Sequence, residues 1–169
     1  MSQAKDKVEW CLRKAKKELE ASSKHRGLVA VQPSRDEAKR HVIKAEHDLK
    51  AAISFESTGF SDWSVSAAFY SIYHCFLAII STFGYASRNQ ECTIALVEHL
   101  KEAGKISISD EIIGAMKDVD IEEQQESKAI SLRETYQYGT ATSIEDNKLA
   151  GLKQLCRQAI EETKKIVYT

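Results

Sequence analysis

The feature of this sequence that most constrains its fold is an uncharged, apolar stretch near the middle of the chain. No Asp, Glu, Lys or Arg occurs between Asp62 and Arg88, although 29% of all residues are charged. A helix that is apolar around most of its circumference is typical of the centre of a bundle or of a membrane span. Several serines, a histidine and the amphipathic segments elsewhere favour the first alternative. We therefore predict a buried central helix over residues 61–83 and no membrane association.

At helical spacing this stretch divides into three stripes. The large apolar stripe comprises Val65, Phe69, Ile72, Phe76, Ile79 and Phe83; the aromatic stripe comprises Ser66, Tyr70, Tyr73, Leu77 and Ile80; the small-residue stripe comprises Ala68, Ser71, Cys75, Ala78 and Thr82. We expect another backbone to approach the small-residue stripe closely. Tyr70, Tyr73 and His74 carry polar groups, and each such group needs a hydrogen-bond partner if it is buried, or it costs about 1–3 kcal/mol.

The rest of the chain has the pattern of further amphipathic helices joined by short connections. Ser34 and Glu37 have the spacing of a capping box, which marks a helix start. A helix is predicted from about Ile121 to Gly139, and Ser143 is predicted to cap the last helix. No strand pattern or internal repeat is recognised. We predict an all-α, up-and-down helical bundle of about four to five core helices plus an N-terminal helix and short extra helices.

Length and charge limit the classes of function. A chain of 169 residues fits one domain, which we divide into a Lys-rich helix and connector (1–33) and the bundle (34–169). The net charge of −1 excludes a polycation that wraps nucleic acid. Charge is nevertheless uneven, because the first fifty residues are basic and residues 110–126 carry seven acids against one lysine. These patches are either solvated faces or surfaces that orient a partner.

The cysteines and the N-terminus indicate a cellular location. Cys11, Cys75, Cys92 and Cys156 are widely spaced and form no CxxC pair. They are predicted to be reduced core residues. The first residues lack the apolar region of a signal peptide, so we expect a cytoplasmic protein.

The sequence offers no convincing metal or cofactor site. Glu37 and His41 are four residues apart on one predicted helix, but no third ligand can be named, and such a pair is usually a surface contact. There is no glycine-rich phosphate loop, and neither a GxSxG nor an HExxH motif. We therefore predict neither a metal nor a cofactor.

Two arginines are candidates for binding an anion. Arg88 precedes the first turn of a predicted helix, whose free N–H groups attract negative charge, and Asn89 could add donors. The alternative is a solvated loop residue next to an N-cap formed by Ser87 or Asn89. Arg133 either neutralises an acid or bonds a tyrosine hydroxyl, or it binds phosphate beside a stacking aromatic. The predicted nucleotide- or RNA-binding residues are Arg88, Asn89, Arg133, Tyr70, Tyr73 and Tyr138.

Histidine provides the candidates for catalysis. His74 could act as a general base, but a histidine among Tyr70, Tyr73 and Phe76 is more often a hydrogen-bonded core residue. His99 is the second weak candidate. We therefore predict no catalytic residue and retain His74 and His99 only as alternatives.

Several segments together resemble a known family. The stretch AAFYSIYHCFLAIISTFGY resembles the signature helix of HEPN domains, KAEHDLKAA resembles their first helix, and Arg133 with Tyr136 and Tyr138 is similar to the Arg-and-Tyr pattern of a later helix. The resemblance runs from about Ser34 to the C-terminus. It implies a helical bundle that homodimerises and that pairs with a minimal nucleotidyltransferase in toxin–antitoxin or stress-response systems.

The resemblance does not carry over the ribonuclease activity of the family. Active members are metal-independent RNases with Arg, a polar residue and, after three to five further residues, His. After Arg88 the histidine positions hold Thr93, Ile94 and Ala95, and His99 comes a turn too late; after Arg133 they hold Tyr138, Gly139 and Thr140. The leading hypothesis is a module that binds a nucleotide, an RNA phosphate or a nucleotidyltransferase partner without robust catalysis. The alternatives are an RNase toxin with a rearranged site using His74 or His99, and a purely structural dimerisation module.

Overall fold

The computed structural model describes residues 2–117 and 129–169. Within these ranges the chain forms seven α-helices and one two-stranded antiparallel sheet. The elements in chain order are α1 (Gln3–Ala21), β1 (Leu28–Ala30), α2 (Arg35–Ser57), α3 (Ser61–Thr82), β2 (Tyr85–Ser87), α4 (Gln90–Glu102), α5 (Asp110–Met116), α6 (Ala129–Tyr138) and α7 (Asp146–Val167). The predicted all-α helical bundle is confirmed.

The uncharged helix α3 is the centre of the bundle, as the sequence predicts. α2, α7, α6 and α4 all pack against it. The large apolar stripe from Val65 to Ile79 is fully buried. By length and composition α3 is also long and apolar enough to cross a membrane, but 61% of its most apolar window is buried inside the bundle.

Small residues on α3 allow close approach of both neighbouring helices. Ser71 Oγ donates a hydrogen bond to the Ala45 carbonyl oxygen of α2 at 2.8 Å. On the α7 side, Cys156 Sγ donates to the Ala68 carbonyl oxygen at 3.2 Å. Side chains this short reach a neighbouring backbone only when the helices lie close together, so the expected close approach along the small-residue stripe is confirmed.

One predicted helix cap is confirmed and one is wrong. The Ser34 hydroxyl accepts a hydrogen bond from the Glu37 backbone N–H at 3.1 Å and so begins α2. Ser143 does not cap the last helix, because α7 begins at Asp146 with Glu145 in the N-cap position. The Glu145 side chain makes no capping bond, so the local sequence held no cap signal at the true start.

The connector after α1 pairs with the segment before α4, which the sequence analysis missed. Leu28–Ala30 and Tyr85–Ser87 form antiparallel strands, with Val29 opposite Ala86. Gly84 has a φ of +83°, and a Cβ there would lie 2.8 Å from the Val31 carbonyl oxygen, so the position requires glycine. Strands of three residues are too short to show a period-two pattern, which explains the wrong expectation of no strands.

A disulfide joins α1 to α4. Cys11 and Cys92 are bonded across 81 residues of sequence. The prediction that all four cysteines are reduced is therefore wrong for this pair, which carries no spacing signal. Cys75 and Cys156 are free and buried, and burial raises the pKa of each thiol to about 12.

Two sequence predictions fall partly on residues 118–128, outside the described ranges. The acidic run of residues 110–126 extends into them, as do the helical positions Ile121 and Gln125. The helix predicted to end near Gly139 is described from Ala129 onward, as α6, and ends at Tyr138.

Candidate functional site

One face of α3 is left open by its neighbours. α2 borders it on one side, and α4 and α6 border it on the other. The residues of this face recur every three or four positions, and Trp63 and Tyr70 are 59% and 40% exposed. We call it the open face, and it comprises Trp63, Ser66, Tyr70, Tyr73, His74 and Leu77. Two tyrosines and the histidine singled out in the sequence therefore lie on one surface.

Arg133 of α6 lies at the border of the open face. Its guanidinium carbon is 4.4 Å from the centroid of the Phe69 ring. Phe69 in turn contacts both tyrosines, with Tyr70 edge-on at 5.4 Å and Tyr73 nearly parallel at 6.5 Å between centroids. Stacking on an aromatic face holds a guanidinium in one plane and leaves its edge for an anion.

The hydrogen-bonding capacity of Arg133 is largely unused within the described residues. Its Nε is buried and has no hydrogen-bond partner there, and Nη1 makes one long bond of 3.5 Å to Gln137 Oε1. No carboxylate of the described ranges lies within 4 Å of the guanidinium. Of the roles considered for this arginine, neutralising an adjacent acid such as Glu134 is not what the structure shows.

Tyr73 connects the open face to the start of α4. Its hydroxyl lies 3.4 Å from Thr93 Oγ1, and Thr93 Oγ1 donates to Ser87 Oγ at 2.7 Å and also contacts the Asn89 carbonyl oxygen. Burial raises the pKa of Tyr73 above its ordinary value. Asn89 Oδ1 accepts from the Cys92 backbone N–H at 2.9 Å, so this side chain acts as the N-cap of α4, the alternative considered for it.

Other predicted site residues are not gathered at the open face. Arg88 is exposed, and its backbone N–H donates to the Gly27 carbonyl oxygen at 2.9 Å, on the connector side of α4. Tyr138 is 73% exposed at the end of α6. His99 lies near the end of α4, two turns past the capping network. The structure thus brings together Arg133, Tyr70, Tyr73 and His74, and it links Asn89 to them through Thr93.

A second imidazole faces His74 on the α2 side. His41 Nδ1 and His74 Nδ1 are 2.9 Å apart, so one of them must donate a proton and the other must accept it. His41 Nε2 lies 3.8 Å from Glu37 Oε1, and His74 Nε2 lies 3.9 Å from Asp48 Oδ2. Asp48 is buried and pairs with Lys44 through its other oxygen. The result is a continuous row of polar groups between α2 and α3.

Burial keeps both imidazoles neutral at pH 7. Desolvation is the main cause that lowers the pKa of His74 to about 4, and His41 lowers it further, whereas Asp48 raises it. Desolvation also lowers the pKa of His41, against the attraction of Glu37. In the described residues no group of three or more His, Cys, Asp or Glu side chains has the geometry to hold a metal.

Three residues of this site were missed as site residues in the sequence. Phe69 has the pattern of a core residue, and that is also its position. His41 and Asp48 lie on α2, 33 and 26 residues before His74, and helical spacing says nothing about contacts between different helices. Only the His41–Glu37 spacing gave a signal, and it indicated a surface pair.

Comparison with known proteins identifies the family of the helical bundle. The family model for the HEPN domain matches residues 38–169, which is most of the chain. No curated protein matches the chain significantly. The match begins within α2 and leaves α1 and β1 outside. Because the model matches far more than half of the chain, including α3 to α7 and most of α2, the chain belongs to the HEPN domain family.

Proposed function

We propose that this protein binds the phosphate of a nucleotide or of RNA at the open face, with Arg133 as the anion ligand and Tyr70 and Tyr73 as stacking surfaces. The observation that carries the proposal is the state of Arg133. Its guanidinium carbon lies over the Phe69 ring, 4.4 Å from the centroid. Within the described residues the guanidinium has no carboxylate partner and its buried Nε has no hydrogen bond. A cation fixed in this way is preorganised for an anion beside aromatic rings.

The same surface supports binding without robust catalysis. A general base works best when its pKa is near the working pH. The pKa of His74, about 4, makes it a weak base at neutral pH. The Arg-polar-His pattern of active family members is also incomplete after both Arg88 and Arg133.

We further propose a homodimer, and a minimal nucleotidyltransferase as a second partner, in a toxin–antitoxin or stress-response system. Support comes from aromatic groups exposed around the start of α3 and at the end of α6. Phe60, Trp63 and Tyr138 are 55%, 59% and 73% exposed. Aromatic side chains are enriched where proteins meet.

Arg133→Ala is expected to weaken binding of a fluorescent short RNA about 10- to 100-fold, because hydrogen bonds to charged groups contribute about 1.5–3 kcal/mol each. The affinity of Arg133→Lys should lie between those of the wild type and Arg133→Ala, since lysine keeps the charge but loses the planar guanidinium. Fluorescence anisotropy provides the measurement. Arg157→Ala is the matched control, because it removes an exposed arginine of α7 away from the open face.

Two further experiments, one on affinity and one on RNA cleavage, separate the proposed site from its alternatives. Equal affinity of the wild type and the Arg88→Ala/Arg133→Ala double variant would remove the proposed site. RNA cleavage in EDTA that is lost in His74→Ala or His99→Ala would replace it with a rearranged ribonuclease site. We expect that the wild type leaves the RNA intact and that Arg133→Ala loses binding.

A further inference from the structure

The N-terminal helix exposes a tryptophan among lysines, outside the region that matches the HEPN family. Trp10 is 45% exposed. The ammonium groups of Lys7 and Lys14 lie 4.7 and 5.0 Å from its ring centroid. Lys17 follows on the same side of α1, because steps of four and three residues return to one helix face. We call Trp10, Lys14 and Lys17 the Trp10 stripe, and it spans about 10 Å along the helix.

The charges of the Trp10 stripe are not neutralised within the described residues. Lys7 pairs with Glu91 at 3.0 Å. Lys14 and Lys17, in contrast, are exposed and have no carboxylate within 4 Å in the described ranges. An exposed aromatic ring is therefore flanked on its stripe by two ammonium groups that are available to an anion.

The stripe is held in place at two points beside Trp10. The Lys7–Glu91 pair fixes the turn before it, and the Cys11–Cys92 disulfide fixes the residue after it. Both contacts attach α1 to the first turn of α4. A surface fixed in this way loses little conformational freedom when a ligand binds.

We propose that the Trp10 stripe binds single-stranded nucleic acid, with a base stacked on Trp10 and phosphates on Lys14 and Lys17. Bases stack on exposed aromatic rings without regard to sequence, and lysines follow the backbone. A cation–π contact at an exposed site is weaker than base stacking, so a base displaces the ammonium of Lys14 from the ring. The proposal does not rest on binding at the open face.

The surroundings of Trp10 favour nucleic acid over a membrane surface. A helix that lies in a membrane surface needs a broad apolar face. Leu19 is the other large apolar residue exposed on α1. It lies nine residues from Trp10, which places it on the opposite side of the helix. Trp10 is thus an isolated ring among polar groups, which suits a stacked base.

Two single-tryptophan variants separate this site from the open face. Trp63→Phe leaves Trp10 as the fluorescent group, and Trp10→Phe leaves Trp63 on the open face. Titration with short oligouridine and oligothymidine is expected to quench Trp63→Phe. If neither oligonucleotide changes the fluorescence of Trp63→Phe, the proposal is overturned. This holds whatever the fluorescence of Trp10→Phe shows, because that variant reports on Trp63 at the open face.

Affinity measurements test the lysines with a matched control. Lys14→Ala/Lys17→Ala is expected to reduce the slope of log affinity against log salt by about 0.7 per lysine. Lys5→Ala/Lys16→Ala makes the same charge change on another exposed side of α1 and should leave the slope near the wild-type value. Trp10→Ala should weaken binding roughly 5- to 100-fold.

Two results would contradict binding of nucleic acid at the Trp10 stripe. Equal slopes for the two lysine pairs would contradict a local phosphate contact. Binding to phosphatidylserine vesicles that depends on Trp10, without binding to either oligonucleotide, would assign the stripe to a membrane surface instead. Circular dichroism serves as the check on folding, and we expect unchanged spectra because every substituted side chain is exposed.

Discussion

Loss of the Cys11–Cys92 disulfide is expected to lower the free energy of unfolding by about 4 kcal/mol. The bond closes a loop across 81 residues, and the chain-entropy account predicts a stabilisation of this size for so long a loop. It also attaches α1 to the bundle beside Arg88 and Asn89. Urea unfolding of the oxidised wild type and of Cys11→Ala/Cys92→Ala measures the difference.

Reduction of the wild type provides the control for this prediction. Dithiothreitol should destabilise the wild type and leave the double variant unchanged, because Cys75 and Cys156 are already free thiols. A thiol assay on the denatured, unreduced wild type should count the two free cysteines only. Four reactive thiols, or equal unfolding midpoints with and without reductant, would show that the bond is absent or does not stabilise the fold.

Acid is expected to destabilise the protein through His74. Its pKa is about 4 in the folded state against 6.5 as the ordinary value, so below pH 6.5 the unfolded chain binds a proton that the folded chain does not. Stability from this group is complete above pH 6.5 and is lost as pH falls toward 4. The loss between pH 7.5 and pH 5 amounts to about 2 kcal/mol. The lowered pKa of His41 acts in the same direction.

Comparison of two glutamine variants isolates this effect from the titration of carboxylates. His74→Gln should lose clearly less stability than the wild type between pH 7.5 and pH 5 in urea unfolding. His47→Gln is the matched control, because His47 Nδ1 also lies near Asp48, 3.4 Å from Oδ1, but the His47 side chain is 71% exposed. An identical pH dependence in the wild type and His74→Gln would refute the assigned role of the buried imidazole.

The sequence predicts those parts of the fold that depend on local pattern. An uncharged helix among charged ones must be covered, and Phe69 and Phe76 are fully buried in the core as expected. The serine of the capping box begins α2 because its hydroxyl satisfies a free N–H of the first turn. Each of these predictions needs only residues within one helix.

Contacts between distant segments are what the sequence alone does not reveal. The His41–His74 pair, the β1–β2 pairing and the Cys11–Cys92 bond join residues 33 to 81 positions apart. Each depends on how whole helices pack, and helical spacing carries no information about that. For the same reason the sequence suggested Arg88 and Arg133 alike. Of these two arginines, the structure places only Arg133 against Phe69, at the border of the open face.

Photocrosslinking with a thiouridine-containing RNA is the sharpest test of the proposal that RNA binds at the open face of α3. After digestion and mass spectrometry, we expect crosslinks within residues 61–82 at Tyr70 or Tyr73, which are strongly reduced in Arg133→Ala and retained in Arg157→Ala. Crosslinks found only on other helices, or crosslinks at the tyrosines that persist undiminished in Arg133→Ala, would contradict it.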